Sequence, residues 1–369
     1  METTRQQIAP LTSIRIFAAV LVVIYHYGRN VWPFAEGWLH RVTACSGSSV
    51  AFFFFLSGFI LAHAYQGYRW QEPGKLKKYY VARIARIYPV YVLALLATFA
   101  LNLPHVYWDR ISVVEAATTL QVHLGLLQAW LPDYVYKLNM PGWSLSVEAS
   151  FYLLFPLIVP RLMAMRRSVA LLLFGLLYVI SQAVLGGGAR GLIWKDWFFA
   201  SDTVHHLLMY HPVVYWPVFL MGVLMFRFSA AVPNPRPFSP LLMGLMSVSA
   251  IALIAFLSFW AGDILNYAIH VGMLAPLYGV LLFSLCEPRN WLAQLLSVRW
   301  LHYLGEASYG VYILQLPVYG IWMCTGVAPA QTELFFYLYL ASLLIVSTVL
   351  FRWFETPLRR WMRRSFASG

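Results

Sequence analysis

Charged residues are scarce in this 369-residue sequence. Asp, Glu, Lys and Arg make up 11% of it, whereas a soluble domain carries about 25%. Hydrophobic residues account for 61%, and the mean hydropathy is +0.67. A chain of this composition cannot hide its apolar surface in water, which excludes an ordinary soluble enzyme. It predicts a polytopic membrane protein.

Cysteine is also scarce, with Cys45, Cys286 and Cys324 as the only three. None forms a C-x-x-C pair or a metal-ligand spacing, which excludes a disulfide framework and predicts no metal site. His205, His206 and His211 form a cluster without a carboxylate or cysteine at ligand spacing, so it does not change that prediction. A single disulfide between Cys45 and Cys324 stays open.

Long apolar runs dominate the chain. Since roughly 20 residues cross the hydrocarbon core of a bilayer, about ten transmembrane helices are predicted. The fold class is therefore an all-α helical bundle, in a single membrane domain over 1–369 without a soluble extension. The predicted spans are 11–28, 47–66, 84–101, 143–163, 168–186, 212–228, 239–259, 264–285, 302–323 and 333–353.

The basic residues orient the predicted bundle. Short cytoplasmic loops are enriched in Lys and Arg, so the net charge of +12 indicates membrane topology rather than nucleic-acid binding. With both termini in the cytoplasm, 20 of the 26 basic residues lie at or near the inner side. The six left outside are Arg29, Arg41, Arg110, Lys137, Arg190 and Lys195. The opposite orientation inverts this ratio, so N-in and C-in topology is predicted, with membrane lipid against the basic C-terminal tail.

Arg15 and His26 both lie in the first apolar run. An ionisable residue inside a span is costly and by default suggests a functional site. Eleven residues return to nearly the same face of an α-helix after a rise of roughly 16 Å. One helix would therefore present a cation near the inner surface and an imidazole near the outer surface. The alternative is a snorkelling Arg and a structural His.

Glu148, Arg83 and Arg86 are further ionisable residues in or beside predicted spans. Glu148 is expected at a depth comparable to that of His26, where a carboxylate could orient the imidazole and stabilise its charged form. Alternatively, it pairs with an Arg and only holds helices together. Arg83 and Arg86 share a helix face and could clamp phosphate groups.

Six segments resemble the membrane acyltransferase-3 family, in the same order and over nearly the whole chain. They are the R-x10-H pair Arg15 and His26, the F-F-x-L-S-G-F segment ending at Phe59, the R-x-x-R pair Arg83 and Arg86, the W-S-L-x-x-E-x-x-F-Y-x-x-F-P segment Trp143 to Pro156, the S-Y-x-x-Y-x-x-x-x-P segment Ser308 to Pro317, and the E-x-P segment Glu355 to Pro357.

The resemblance implies an O-acyltransferase in the inner membrane of a bacterium. Its donor would be cytoplasmic acetyl-CoA or another acyl-CoA, a co-substrate rather than a bound cofactor. Its acceptor would be a hydroxyl of a cell-surface or lipid-linked carbohydrate. His26 would be catalytic, with Glu148 expected beside it, and Arg15, Arg83 and Arg86 would bind the donor. The candidates for the pocket lining are Ser57, Trp143, Ser144, Tyr152 and Gln315, although helix packing explains each of them equally well.

Gln315 is a departure from the family pattern, because many relatives carry His there. This leaves His26 as the strong catalytic candidate, acting either as a general base or as a nucleophile that carries the acyl group. Two other classes stay open. A transporter or flippase would need no acyl-CoA, and a sugar-binding subunit would bind polysaccharide without turning over thioester. The oligomeric state, the acceptor and the acyl chain are not determined by the sequence.

Overall fold

The computed structural model describes residues 8–102, 112–183, 202–230, 232, 238–261, 267–325 and 333–367. Helices and turns account for these ranges, and no β-strand occurs in them. In chain order the helices are α1 (Ala9–Val23), α2 (Gly37–Ala44), α3 (Ser49–Ala64), α4 (Lys75–Asn102), α5 (Val113–Leu124), α6 (Trp143–Ala164), α7 (Arg167–Ser181), α8 (Asp202–Tyr210), α9 (Pro212–Ala230), α10 (Pro240–Trp260), α11 (Ala275–Leu285), α12 (Trp291–Leu296), α13 (Arg299–Ile313), α14 (Gln315–Cys324), α15 (Glu333–Leu350) and α16 (Thr356–Ala367). Two π-helical turns, Ile24–Gly28 and Phe351–Glu355, continue α1 and α15.

The membrane-bundle prediction is confirmed. Seven described helical segments are long and apolar enough to cross a bilayer: Ala9–Gly28, Ser46–Ala64, Lys75–Leu101, Met140–Ala164, Thr203–Ala230, Pro240–Trp260 and Glu333–Phe366. Each overlaps a predicted span, although Lys75–Leu101 and Thr203–Ala230 begin before the predicted start and Glu333–Phe366 ends after the predicted end. The predicted spans 168–186 and 264–285 overlap the shorter apolar helices α7 and α11, and parts of both spans lie outside the described residues. The number of crossings and the N-in orientation stay predictions.

Two compact units form the chain, and both are discontinuous in sequence. Unit 1 comprises Met1–Tyr68, Leu157–Ala200 and Val213–Glu306. Unit 2 comprises Arg69–Pro156, Ser201–Pro212 and Ala307–Gly369. The expectation of one domain over 1–369 stays a prediction.

Unit 1 is held together by close backbone contacts at glycines. A methyl group at Gly58 of α3 would overlap the carbonyl oxygen of Phe219 on α9, and one at Gly222 of α9 would overlap the carbonyl oxygen of Phe55. Likewise, Gly305 of α13 faces the carbonyl oxygen of Thr12 on α1. Small residues let membrane helices approach to backbone contact, where dispersion forces are strongest.

A buried polar cluster joins α10 to the loop before α12 in unit 1. The Asn290 side-chain amide donates to Ser247 Oγ at 2.9 Å and to the Ser284 carbonyl at 2.9 Å. Ser247 and Ser284 share a further hydrogen bond of 2.7 Å. Because an unpaired polar group costs several kcal/mol in an apolar medium, this mutual pairing is what makes the polar side chains tolerable there.

The helix within the predicted span 302–323 is broken at Leu314, in unit 2. The helix ends at Ile313 and restarts at Gln315. Pro317 has no N–H to donate to the Ile313 carbonyl four residues earlier, and its ring clashes with that carbonyl. The Asn139 side-chain amide donates to the Ile313 oxygen instead, at 3.0 Å. The break is therefore a consequence of proline at position 317, and Asn139 compensates for the lost hydrogen bond.

None of the three cysteines forms a disulfide. Cys45 is buried and its thiol donates to the Ser258 carbonyl at 3.3 Å, while Cys324 is exposed. The disulfide that the sequence left open is not formed.

Candidate functional site

His26 lies in the π-helical turn that follows α1. Its side chain is exposed, although the helix around it is largely buried. The Tyr25 ring meets it edge-on with 5.0 Å between centroids, and the Tyr27 ring lies at 6.1 Å. Single π turns inside α-helices are frequent at functional sites, because they place a side chain where a regular helix would not. This imidazole can therefore reach a ligand.

Arg15 lies on α1, upstream of His26 in the same helical segment Ala9–Gly28. The side chain is half-buried. The segment thus carries a cation and an imidazole eleven residues apart, as the sequence suggested. Because the last turn is π-helical, the angle between the two side chains differs from that on a regular α-helix. Binding of a donor at Arg15 stays a prediction.

Ser57 lies on α3, also in unit 1, and is half-buried among apolar neighbours of the same helix. Its role in a pocket stays a prediction.

His270 is a second imidazole of unit 1 and was missed by the sequence analysis. It interacts electrostatically with His26. A methyl group built at Gly47 would lie 3.0 Å from His270 Cε1 and 3.6 Å from Tyr25 Cε1, so both rings converge on this glycine. The signal that could have found His270 is the one used for His26, since position 270 is an ionisable residue inside the predicted span 264–285.

Arg83 and Arg86 lie one turn apart on α4, in unit 2. The Arg86 guanidinium donates to Glu355 Oε1 at 2.6 Å, and Arg359 Nη1 lies 3.8 Å from the same oxygen. The Arg83 guanidinium carbon lies 5.7 Å from the centroid of the Tyr152 ring. The two arginines thus lie beside a buried carboxylate and an aromatic face, and their binding of phosphate stays a prediction.

Glu148 accepts a hydrogen bond from the Tyr152 hydroxyl at 2.5 Å, one turn along α6. It also interacts electrostatically with Tyr309 and Tyr312 of unit 2. The Tyr152 hydroxyl gives this half-buried carboxylate a hydrogen-bond donor, which lowers the cost of its partial burial. The predicted pairing of Glu148 with His26 is not tested by these contacts and stays a prediction.

Ser144, Trp143 and Gln315 are packed into unit 2. Ser144 Oγ and the Tyr312 hydroxyl share a hydrogen bond of 2.8 Å. The Trp143 ring meets the Tyr210 ring edge-on at 4.9 Å. The Gln315 amide is fully buried and donates to the Tyr312 carbonyl at 2.8 Å. These contacts show well-defined positions for all three side chains; their role as pocket residues stays a prediction.

The histidines of α8 and its C-terminal neighbour make packing contacts. His206 Nδ1 lies 2.9 Å from the Pro132 carbonyl oxygen, and the His211 ring meets the Trp130 ring edge-on at 5.1 Å. Within the described ranges no group of three His, Cys, Asp or Glu side chains is arranged to hold a metal ion.

Known acyltransferases are similar to this chain over part or nearly all of its length. The chain is 32% identical to the acyltransferase MdmB of Streptomyces mycarofaciens over 161 residues, which cover 40% of this chain and 38% of that protein. It is 23% identical to the O-acetyltransferase OatA of Staphylococcus aureus (strain NCTC 8325 / PS 47), over 97% of this chain and 58% of that protein. The peptidoglycan O-acetyltransferase OatA of Listeria monocytogenes is 22% identical, over 97% of this chain and 56% of that protein.

The chain spans little more than half the length of the two OatA proteins. No solved structure matches it. Residues 9–352, which include His26, His270, Arg83, Arg86 and Glu148, match the acyltransferase domain of one family. The chain therefore belongs to the acyltransferase-3 family of membrane proteins.

Proposed function

We propose that this protein is a bacterial inner-membrane O-acetyltransferase. It moves an acetyl group from cytoplasmic acetyl-CoA to a hydroxyl of a cell-surface or lipid-linked carbohydrate. The single observation that carries the proposal is the exposed imidazole of His26, at one end of a spanning helix that holds Arg15 nearer its other end. Family membership and the O-acetyltransferase names of the relatives support the reaction type.

His26 acts as the general base in this proposal. Its neutral ring takes the proton of the acceptor hydroxyl while the acceptor oxygen attacks the thioester carbon. The carbon–sulfur bond then breaks, and the proton passes to the departing CoA thiolate. Glu148 is the proposed partner that orients His26. The alternative, in which His26 itself attacks and carries the acetyl group, also accounts for the exposed ring.

The donor binds through arginines. Arg15, Arg83 and Arg86 are the proposed ligands of the acetyl-CoA phosphates, because guanidinium groups match phosphate oxygens in geometry and charge. Ser57, Trp143, Ser144, Tyr152 and Gln315 line the pocket around the thioester and the acceptor. Carbohydrate is the proposed acceptor because the matched relatives are named O-acetyltransferases, one of them for peptidoglycan.

The test is CoA release from acetyl-CoA by the purified protein in nanodiscs with an added bacterial membrane-lipid extract. We expect turnover by the wild type and none by His26→Ala. His63→Ala is the matched control, since His63 is a half-buried membrane histidine whose ring packs on Phe226. Equal release by wild type and His26→Ala would overturn the catalytic role of His26. Acetyl-CoA binding without release, in any extract, would contradict acyl transfer, and transport of the acceptor without acetyl-CoA would favour a transporter.

A labelled-donor experiment separates base from nucleophile. With [14C]acetyl-CoA and no acceptor, a general base leaves the protein unlabelled, whereas a nucleophilic His26 traps acetyl on the ring.

For the donor site, Arg83→Gln is expected to raise the KM for acetyl-CoA more than the KM for the acceptor. An unchanged KM would remove Arg83 from the donor site.

A further inference from the structure

His270 lies beside the proposed catalytic base and has no described role. A methyl group at Gly47 would lie 3.0 Å from His270 Cε1 and 3.6 Å from Tyr25 Cε1, so both rings lie next to this glycine. The Tyr25 ring in turn packs edge-on against His26. Four residues of unit 1, Tyr25, His26, Gly47 and His270, thus form one cluster. They come from three separate parts of the sequence, so the cluster is formed by tertiary packing.

The backbone that carries His270 is anchored. The Val271 carbonyl accepts a hydrogen bond of 2.6 Å from Ser181 Oγ, and the Met273 carbonyl accepts one of 3.2 Å from the Tyr178 hydroxyl. Gly272 has a φ of +102°, a backbone conformation that residues with a side chain rarely adopt. These contacts hold the backbone next to His270. A group held by a rigid backbone is suited to catalysis, because its position does not have to be found at the moment of reaction.

The ring nitrogens of His26 and His270 are open to a ligand. No hydrogen bond joins them to any residue in the ranges that the structure covers, and the His26 side chain is exposed while that of His270 is half-buried. A neutral imidazole both donates and accepts a hydrogen bond, so two neighbouring rings of this kind can bind the polar groups of a ligand.

The rings of His26 and His270 cannot both carry a positive charge. Two adjacent imidazolium ions repel each other in a low dielectric, so at most one of them is protonated. The Arg29 guanidinium, 5.7 Å from the Tyr25 ring centroid, adds a further positive charge to the cluster. When His26 has taken the acceptor proton, His270 is neutral. A neutral imidazole still has one N–H to donate.

We infer that His270 is a second catalytic residue of the acyl transfer, donating its N–H to the thioester oxygen. This inference rests on the proposed function and deepens it. As the acceptor oxygen bonds to the acetyl carbon, the thioester carbonyl oxygen becomes an oxyanion, and His270 stabilises this charge. When the carbon–sulfur bond breaks, the proton held by His26 goes to the CoA thiolate, and His270 has neither gained nor lost a proton.

His270 lies in the same unit as His26. Gly47 leaves room for the His270 ring, because a methyl group there would lie 3.0 Å from His270 Cε1 and force a small shift.

The test compares His270→Ala and His270→Asn with the wild type in the CoA-release assay. Removing one oxyanion donor lowers kcat about 10²-fold or more, so His270→Ala is expected to lose at least that much while the KM for acetyl-CoA stays unchanged. His270→Asn keeps an N–H donor and is expected to recover part of the loss. Gly47→Ala, which shifts the ring by a few tenths of an ångström without removing it, is expected to lower kcat as well.

His63→Ala again serves as the control for loss of a membrane histidine. Wild-type kcat in His270→Ala, with His26→Ala inactive, would overturn this inference and leave the proposed function intact. Equal losses in His270→Ala and His270→Asn would also overturn it, because a position that matters only for packing does not respond to a retained donor. If the wild type releases no CoA, the proposed function fails and this inference fails with it.

Discussion

The Arg86 guanidinium donates to Glu355 at 2.6 Å and thereby ties α4 to the π-helical turn before α16. The Glu355 side chain is 1% exposed and that of Arg86 is 18% exposed. A carboxylate buried to this extent is stable in its charged form only with a cation beside it. Arg359 provides a second, more distant cation at 3.8 Å.

Arg86→Ala is expected to destabilise the protein strongly. Removing one partner of a buried ion pair costs about 3–5 kcal/mol. Glu355 loses its 2.6 Å contact in this variant and keeps the longer one to Arg359. Arg359→Ala is the matched control and should cost less, since Glu355 then keeps its shorter contact. Thermal unfolding in nanodiscs measures both. Equal stability losses in the two variants would contradict the dominant role assigned to Arg86.

The broken helix gives a prediction about Asn139. Asn139→Ala leaves the Ile313 carbonyl without a donor, and a buried unsatisfied carbonyl costs about 1–3 kcal/mol. In the double variant Asn139→Ala with Pro317→Ala, residue 317 regains an N–H that can reach Ile313 in a continuous helix. The double variant should therefore unfold at a higher temperature than Asn139→Ala alone. The same or a lower temperature would show that proline is not the cause of the break.

Gly58 is expected to tolerate no side chain. In Gly58→Ala the new methyl group meets the Phe219 backbone, which cannot turn away as a side chain could, so α3 and α9 must separate. Overpacking of this kind costs typically 1–3 kcal/mol. Gly175→Ala on α7 is the control, because nothing lies within 4 Å of a methyl group there. Thermal unfolding should show a loss for Gly58→Ala and none for Gly175→Ala.

His123, outside the predicted spans, makes stability depend on pH. Burial lowers the pKa of His123 below its ordinary value of 6.5, and the charge of Lys137 lowers it further, while the hydrogen bond with the Thr119 carbonyl opposes the shift. Below pH 6.5 the unfolded chain therefore binds a proton that the folded chain resists. The free energy of unfolding therefore decreases as the pH falls from 6.5 towards the lower pKa of the folded state. It is fully regained above pH 6.5.

His123→Gln removes this titration. The unfolding temperature of the wild type should drop between pH 7.5 and pH 5.5, and that of the variant should drop less. Parallel pH profiles for the two proteins would show that another group is responsible.

Much of the architecture could be predicted from the sequence, because apolar runs of bilayer length have few alternative structures. Seven predicted spans coincide with helices long enough to cross a membrane. Arg15 and His26 were also correctly placed on one helix, since a ten-residue interval inside one apolar run leaves little else. The break at Leu314 was missed, although Pro317 was visible, because proline inside membrane helices is often tolerated.

The neighbours of the site residues could not be predicted. Sequence spacing does not show which distant elements pack together, so neither the pairing of Arg86 with Glu355 nor the convergence of Tyr25 and His270 on Gly47 was foreseen. Glu148 was expected beside an imidazole or an arginine, and its hydroxyl donor Tyr152 lies one turn away on its own helix. These relationships depend on tertiary contacts that a hydropathy pattern does not encode.

The π-helical turn at Ile24–Gly28 changes what the spacing between Arg15 and His26 means. In a π turn each hydrogen bond spans one residue more than in an α-helix, so the chain advances less in angle for each residue. The interval between Arg15 and His26 therefore includes both α-helical and π-helical residues, so the two side chains do not lie at the angle that a regular α-helix would give. Deleting a single residue between positions 24 and 28 would let the turn revert to α-helical winding and point the imidazole in a new direction. Inserting a residue in the regular part of α1 between Arg15 and the π turn would instead change the angle between the two side chains and leave the π turn itself intact.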